Sequence, residues 1–84
     1  MSKRTKDESF LIKLYEYAQN QGDLNLEINY QELGKELTFK ENMTKVIVRD
    51  LTQANFIQKV DKSTIKLTER GIHLAQKFRE GWAG

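Results

Sequence analysis

From Glu8 to Gln21 the apolar residues Phe10, Leu11, Leu14, Tyr15 and Ala18 return at spacings of three and four, and Ile12 and Tyr17 widen the stripe. That period belongs to an amphipathic helix. Asn20, Gly22 and Asp23 supply its stop. Leu24, Leu26, Ile28 and Tyr30 then alternate with Asn25, Glu27 and Asn29, the period of two expected of a half-buried strand. Asn29 followed three residues on by Glu32 has the spacing of a helix-capping box, and Leu33 and Leu37 give a short seam to a helix of about two turns ending near Leu37.

Thr38, Phe39 and Lys40 make a brief connection to a third helical pattern over residues 41–54, in which Met43, Ile47, Leu51 and Ala54 share one face. Asn42, Lys45, Arg49 and Gln53 share the opposite face, at spacings of three, four and four. Asn55 suits the left-handed residue that closes a helix, and Phe56 and Ile57 return to the core.

Residues 57–61 and 64–68 read as two short strands about the turn Asp61-Lys62-Ser63-Thr64. Pairing Asp61 with Thr64 sets Val60 opposite Ile65, Lys59 opposite Lys66 and Gln58 opposite Leu67. Val60, Ile65 and Leu67 then face inward, and the two lysines face outward. Thr68 is the expected cap of a last helix starting at Glu69, with Ile72, Ala75 and Phe78 as its seam and Leu74 and Trp82 nearby.

A chain of 84 residues supports one core, so the expected organisation is a basic flexible tail at 1–7, a single domain at 8–80 and a loose C-terminus at 81–84. There is no cysteine, which excludes disulfides, thiolate metal sites and a cysteine nucleophile. The longest apolar runs are three residues, too short for a membrane span or a signal peptide core. A cytoplasmic protein with no membrane partner is expected. His73 is the single histidine and no glycine-rich phosphate loop occurs, so neither an enzyme nor a cofactor is expected. The net charge of +2 hides an asymmetry: residues 8–39 carry −4 and residues 40–84, with nine basic and five acidic groups, carry +4. Such an uneven field points to a polyanionic partner.

The order helix, strand, helix, helix, hairpin, helix resembles the winged helix-turn-helix superfamily over nearly all of residues 8–78. Three stretches carry the resemblance: INYQELGKELTF as the first helix and turn of the helix-turn-helix, KENMTKVIVRDLTQANFIQKV as the recognition helix running into the wing, and IKLTERGIHLA as the exit from the wing. Leu67, Thr68 and Gly71 match the pattern that commonly marks that exit. The turn between the two helices lacks the glycine usual there. Thr44 stands at the position of an apolar anchor, a role Met43 is expected to take after a slight rotation of the helix. The implied fold is α+β and mostly helical, with a three-helix core, a short strand, a two-stranded wing and a C-terminal helix.

What the resemblance implies is binding of double-stranded DNA in transcription regulation, with helix 41–54 in the major groove and the 59–66 wing on the phosphate backbone. Carried onto this chain, Asn42, Lys45 and Arg49 face the groove, and Gln53, next on the same helical face, is a further candidate DNA contact. Arginine and asparagine suit guanine and adenine edges, and lysine suits phosphate. Lys59, Lys62 and Lys66 become the wing's phosphate contacts, with Arg70, Lys3, Arg4 and Lys6 as weaker candidates. Lys59 and Lys66 also fit the guarding of an exposed strand edge. A homodimer seamed by Ile72, Phe78 and Trp82 is one expected assembly; packing of that stripe on the first helix is the other. The alternative function is a winged-helix module that docks another protein through the third helix, where Val46 lies near the exposed side, or through the C-terminal helix.

Overall fold

The computed structural model describes residues 5–79. Among them, four helices and three strands follow in the order α1 (Lys6–Asn20), β1 (Ile28–Asn29), α2 (Tyr30–Glu36), α3 (Glu41–Gln53), β2 (Ile57–Lys59), β3 (Thr64–Leu67) and α4 (Glu69–Arg79). The strands form one antiparallel sheet in the order β1-β3-β2, so the architecture is α+β and mostly helical. No helix among the described residues is long and apolar enough to cross a membrane.

α1 starts two residues before the expected Glu8, because Thr5 and Glu8 form a complete capping box: the Glu8 amide donates to Thr5 Oγ1 at 3.1 Å and the Thr5 amide to Glu8 Oε1 at 2.9 Å. Lys6 and Asp7 are therefore helical rather than part of a tail. Phe10, Leu11, Leu14, Tyr15 and Ala18 are buried as their spacing requires. The alternation of Leu24, Leu26 and Ile28 appears as half-buried positions between exposed ones, yet only Ile28 and Asn29 pair with β3. Upstream, Asp23 bends the chain into a turn, its Oδ1 accepting the Asn25 amide and its carbonyl the Leu26 amide, and backbone committed to a turn is lost to the ladder. Tyr30, expected to end that strand, is instead the buried first residue of α2, capped by Asn29 Oδ1 on the Gln31 and Glu32 amides.

The α2–α3 turn has no glycine, and Thr38 takes the left-handed backbone at φ 61, a conformation strained for a β-branched residue. Asn55 closes α3 at φ 66, as its side-chain chemistry suggests. The buried face of α3 is Thr44, Ile47, Val48 and Leu51. This differs from the expected face: Met43 is only half-buried and Ala54 exposed, while Thr44 is fully buried at 0% exposure. The reason lies on α2, where a Cβ added at Gly34 meets Thr44 Oγ1 at 2.2 Å. The missing side chain lets the two helices approach at that point, and the Thr44 hydroxyl is satisfied by the Lys40 carbonyl at 3.0 Å.

The end of the hairpin is equally tight. A Cβ on Gly71 would lie 1.9 Å from the Phe56 carbonyl oxygen. Thr68 completes the junction: its amide donates to the same Phe56 carbonyl at 3.2 Å, its hydroxyl donates to the Asn55 carbonyl, and its Oγ1 accepts the Gly71 amide at 3.1 Å as the α4 cap. α4 then lays Ala75, buried at 0%, and part of Ile72 against the core, and α1 is its main partner. The Ile72 stripe is thus used within the chain, as the second of the two expected assemblies has it; Trp82 lies outside the described residues.

Two substitutions separate these close approaches. Gly71→Ala presses on backbone and is expected to cost at least the upper end of the ~1–3 kcal/mol typical of overpacking. Gly34→Ala presses on a side chain, so Thr44→Ala is expected to recover part of its cost. Urea unfolding of the single variants and of the double variant measures both, and equal losses for Gly34→Ala with and without Thr44→Ala would contradict the helix contact.

Candidate functional site

The hairpin register decides where the basic side chains point. Ile57 pairs with Leu67, Gln58 with Lys66 and Lys59 with Ile65, one residue away from the expected pairing. Asp61 causes the shift. Its Oδ1 accepts the amides of both Ser63 and Thr64 at 2.9 Å, and the Val60 amide closes on the Thr64 carbonyl at 2.8 Å, so the loop holds Asp61, Lys62 and Ser63 instead of two residues. A one-residue slip reverses every side chain on the slipped strand. Lys59 and Lys66 consequently do not face each other, and Val60, expected inward, is 41% exposed.

The same slip turns Lys59 toward α3. Tyr30, Lys45, Val48, Arg49, Thr52, Gln53 and Lys59 line one open groove of about 410 Å³ between α3 and the hairpin. Its walls carry three cations. Its floor is Tyr30, whose ring lies 5.8 Å from Lys59 Nζ, within cation–π range. Tyr30 also holds the hairpin tip to α2: its hydroxyl donates to the Lys62 carbonyl at 3.1 Å and its amide to the Ser63 carbonyl at 3.0 Å.

Four of the seven expected site residues, Lys45, Arg49, Gln53 and Lys59, thus meet in one groove. Asn42 is exposed on α3 one turn before Lys45, and Lys62 is exposed at the loop tip. Lys66 stands apart. It is half-buried on β3, the central strand, on the sheet face opposite to Ile65 and Leu67, so the guarding of an exposed edge applies to Lys59 on β2 and not to Lys66. Of the weaker candidates, Arg70 stacks on Phe56 at 5.2 Å, while Lys3 and Arg4 lie outside the described residues. Tyr30, Val48 and Thr52 are the groove residues not expected from the sequence; for Tyr30, the capping signal at Asn29 and Glu32 already implied that a helix, not a strand, begins there.

The α3 cations carry local partners. Lys45 lies 3.6 Å from Glu41 and Arg49 3.5 Å from Asp50, with all four side chains largely exposed. Pairs so exposed contribute little to stability and exchange readily for another anion. The acidic charge of residues 8–39 collects elsewhere, where Glu36 accepts the Tyr17 hydroxyl and lies 4.0 Å from Lys13, and Glu16 meets Arg79 at 3.6 Å. A second cleft, lined by Leu11, Leu51, Phe56, Leu74 and Phe78, is rimmed by Asp7 and Asp50. Partial burial, with the Asp50 charge adding to it, pushes the Asp7 carboxyl above its ordinary range, an environment hostile to a polyanion. Among the described residues no cluster of His, Cys, Asp or Glu is arranged to hold a metal ion.

No family model, no curated protein and no solved structure matches the chain.

The loop bonds hold the Asp61 carboxyl below its ordinary value of 3.8, first through the Ser63 amide and then through Thr64. A lowered carboxylate pKa means that the turn is fully supported above pH 3.8 and loses that support as pH falls through the folded-state pKa. An NMR titration is expected to give an Asp61 midpoint below 3.8, with the Ser63 and Thr64 amides moving in step; a midpoint at or above that value would refute the Asp61 clamp. Tyr30→Phe, which deletes only the bond to Lys62, is expected to cost about 0.5–1.5 kcal/mol and to raise amide exchange selectively in the 59–65 hairpin.

Proposed function

We propose that this chain is a small cytoplasmic winged-helix protein that binds double-stranded DNA, most simply as a transcriptional regulator, with α3 in the major groove and the β2–β3 hairpin as the wing on the phosphate backbone. One observation carries the reading: the α3–hairpin groove gathers Lys45, Arg49 and Lys59 from two separate elements, while Glu16 of α1 and Glu36 of α2 pair elsewhere. Phosphate contacts supply sequence-independent affinity, and Asn42, Arg49 and Gln53 supply donors for base edges. Pairing as a homodimer doubles the few contacts one copy offers.

A second reading is favoured by Val46, which is 44% exposed on α3: the same helix docks a protein and the cations are incidental. Duplex DNA accounts for more of the site, because an apolar docking face gains nothing from cations on two elements converging beside it.

Fluorescence anisotropy of a labelled mixed-sequence duplex distinguishes the readings. Micromolar binding is expected near 50 mM salt, falling roughly 40- to 2,000-fold by 200 mM if three to six phosphates are neutralised. Lys45→Glu and Arg49→Glu are each expected to abolish measurable binding at the lower salt, where the wild type binds, without altering the circular dichroism spectrum. Lys59→Glu is expected to weaken binding more than Lys66→Glu, since only Lys59 lines the groove. Absence of binding at the lower salt rejects the DNA reading.

A further inference from the structure

Asn42, Val46, Arg49 and Gln53 follow one another on α3 at spacings of four, three and four, which places them within an arc of about 60° around the helix. The buried residues Thr44, Ile47, Val48 and Leu51 occupy the opposite arc. Along the helix axis Val46 lies between Asn42 and Arg49, the two side chains best suited to base edges, and around the helix it stands at one edge of that arc, about 40° from Asn42; it is the one apolar member of the row. A β-branched residue on an exposed helical face gives up helix propensity relative to alanine. Burial offsets little of that loss, because Val46, 44% exposed, is one of the two large apolar side chains left exposed among the described residues.

The major groove presents one apolar group, the 5-methyl of thymine, beside hydrogen-bonding edges that suit asparagine and arginine. We propose that Val46 is a specificity-determining residue that packs on a thymine methyl, with Asn42 and Arg49 addressing the base pairs on either side. This rests on the DNA reading above and adds a sequence preference to it. Asn42 and Arg49 are seven residues apart, or about 10.5 Å along the helix. A row of that length reaches a few successive base pairs, with the thymine between those addressed by Asn42 and Arg49. The groove cations Lys45 and Lys59 hold the backbone alongside and are indifferent to sequence.

The test uses the full chain and needs no folding rescue, since Val46→Ala places a stronger helix former at an exposed site. Duplexes are enriched from a randomised pool on the wild-type protein, and each thymine of the enriched site is then replaced by uracil, which deletes the methyl and keeps the base pair. One such position is expected to weaken wild-type binding about fourfold, the loss for one methyl group withdrawn from an apolar contact. Val46→Ala is expected to bind the thymine and uracil forms alike. The proposal is overturned if the pool yields no preferred sequence, if no thymine is sensitive, or if Val46→Ala retains the full uracil penalty. Failure of the underlying DNA reading looks different: the unselected duplex does not bind at all.

Discussion

The Phe56 carbonyl is the point on which the geometry of the site turns. It lies one residue past the left-handed Asn55 that ends α3, accepts the Thr68 amide from the far end of the hairpin, and occupies the space that a side chain at position 71 would need. Three elements are therefore fixed at one place: the end of α3, the base of the hairpin and the first turn of α4. Backbone-to-backbone contacts of this kind cannot relax by a rotamer change, so the angle between α3 and the hairpin is set by the chain itself and not by flexible side chains.

A second tie at the other end makes the arrangement stiff. The base of the hairpin is held by Thr68 and Gly71, and its tip by Tyr30 through the Lys62 and Ser63 carbonyls. A two-stranded hairpin alone is marginally stable; here β3 also pairs with β1, and the tip is fastened to α2. Lys59 is thereby presented to the α3 cations from a defined position. A groove whose charges are already assembled does not need to order them on binding, and that saving in side-chain and loop entropy goes into affinity.

The elements were legible in the sequence because each long segment buries one face, and burial enforces period. Phe10 to Ala18 in α1 and Ile47 with Leu51 in α3 are read correctly for this reason, as are Asn29, Asn55 and Thr68, whose capping and turn chemistry is local. The misreadings come from interactions that local pattern does not encode. The rotation of α3 that buries Thr44 depends on Gly34, ten residues earlier and on another helix. The hairpin register depends on whether Asp61 binds one amide or two, a choice that moves Lys59 from the outer face to the groove and Val60 from inside to solvent. The α3 row of the candidate site was legible, being exposed and periodic. The Tyr30 floor was not, because its role exists only once the hairpin has folded back over α2.

Three groove cations are few for a DNA-binding surface, and two of them lie beside carboxylates of their own helix. Glu41 and Asp50 lower the potential of α3 toward any polyanion, which weakens non-specific binding more than specific binding. In the non-specific mode the phosphate attraction is nearly the whole interaction, whereas base contacts are short-ranged and keep their value when the surrounding field is reduced. A genome offers vastly more wrong sites than right ones, so the useful quantity is the ratio of the two affinities. On that criterion a face with moderate charge and one apolar side chain among hydrogen-bond donors discriminates better than a uniformly basic one, since the methyl contact adds to the specific mode alone. If α3 reads DNA as proposed, its acidic residues are part of the recognition surface: they hold back the sequence-independent attraction so that a small number of base contacts decides where the protein stays.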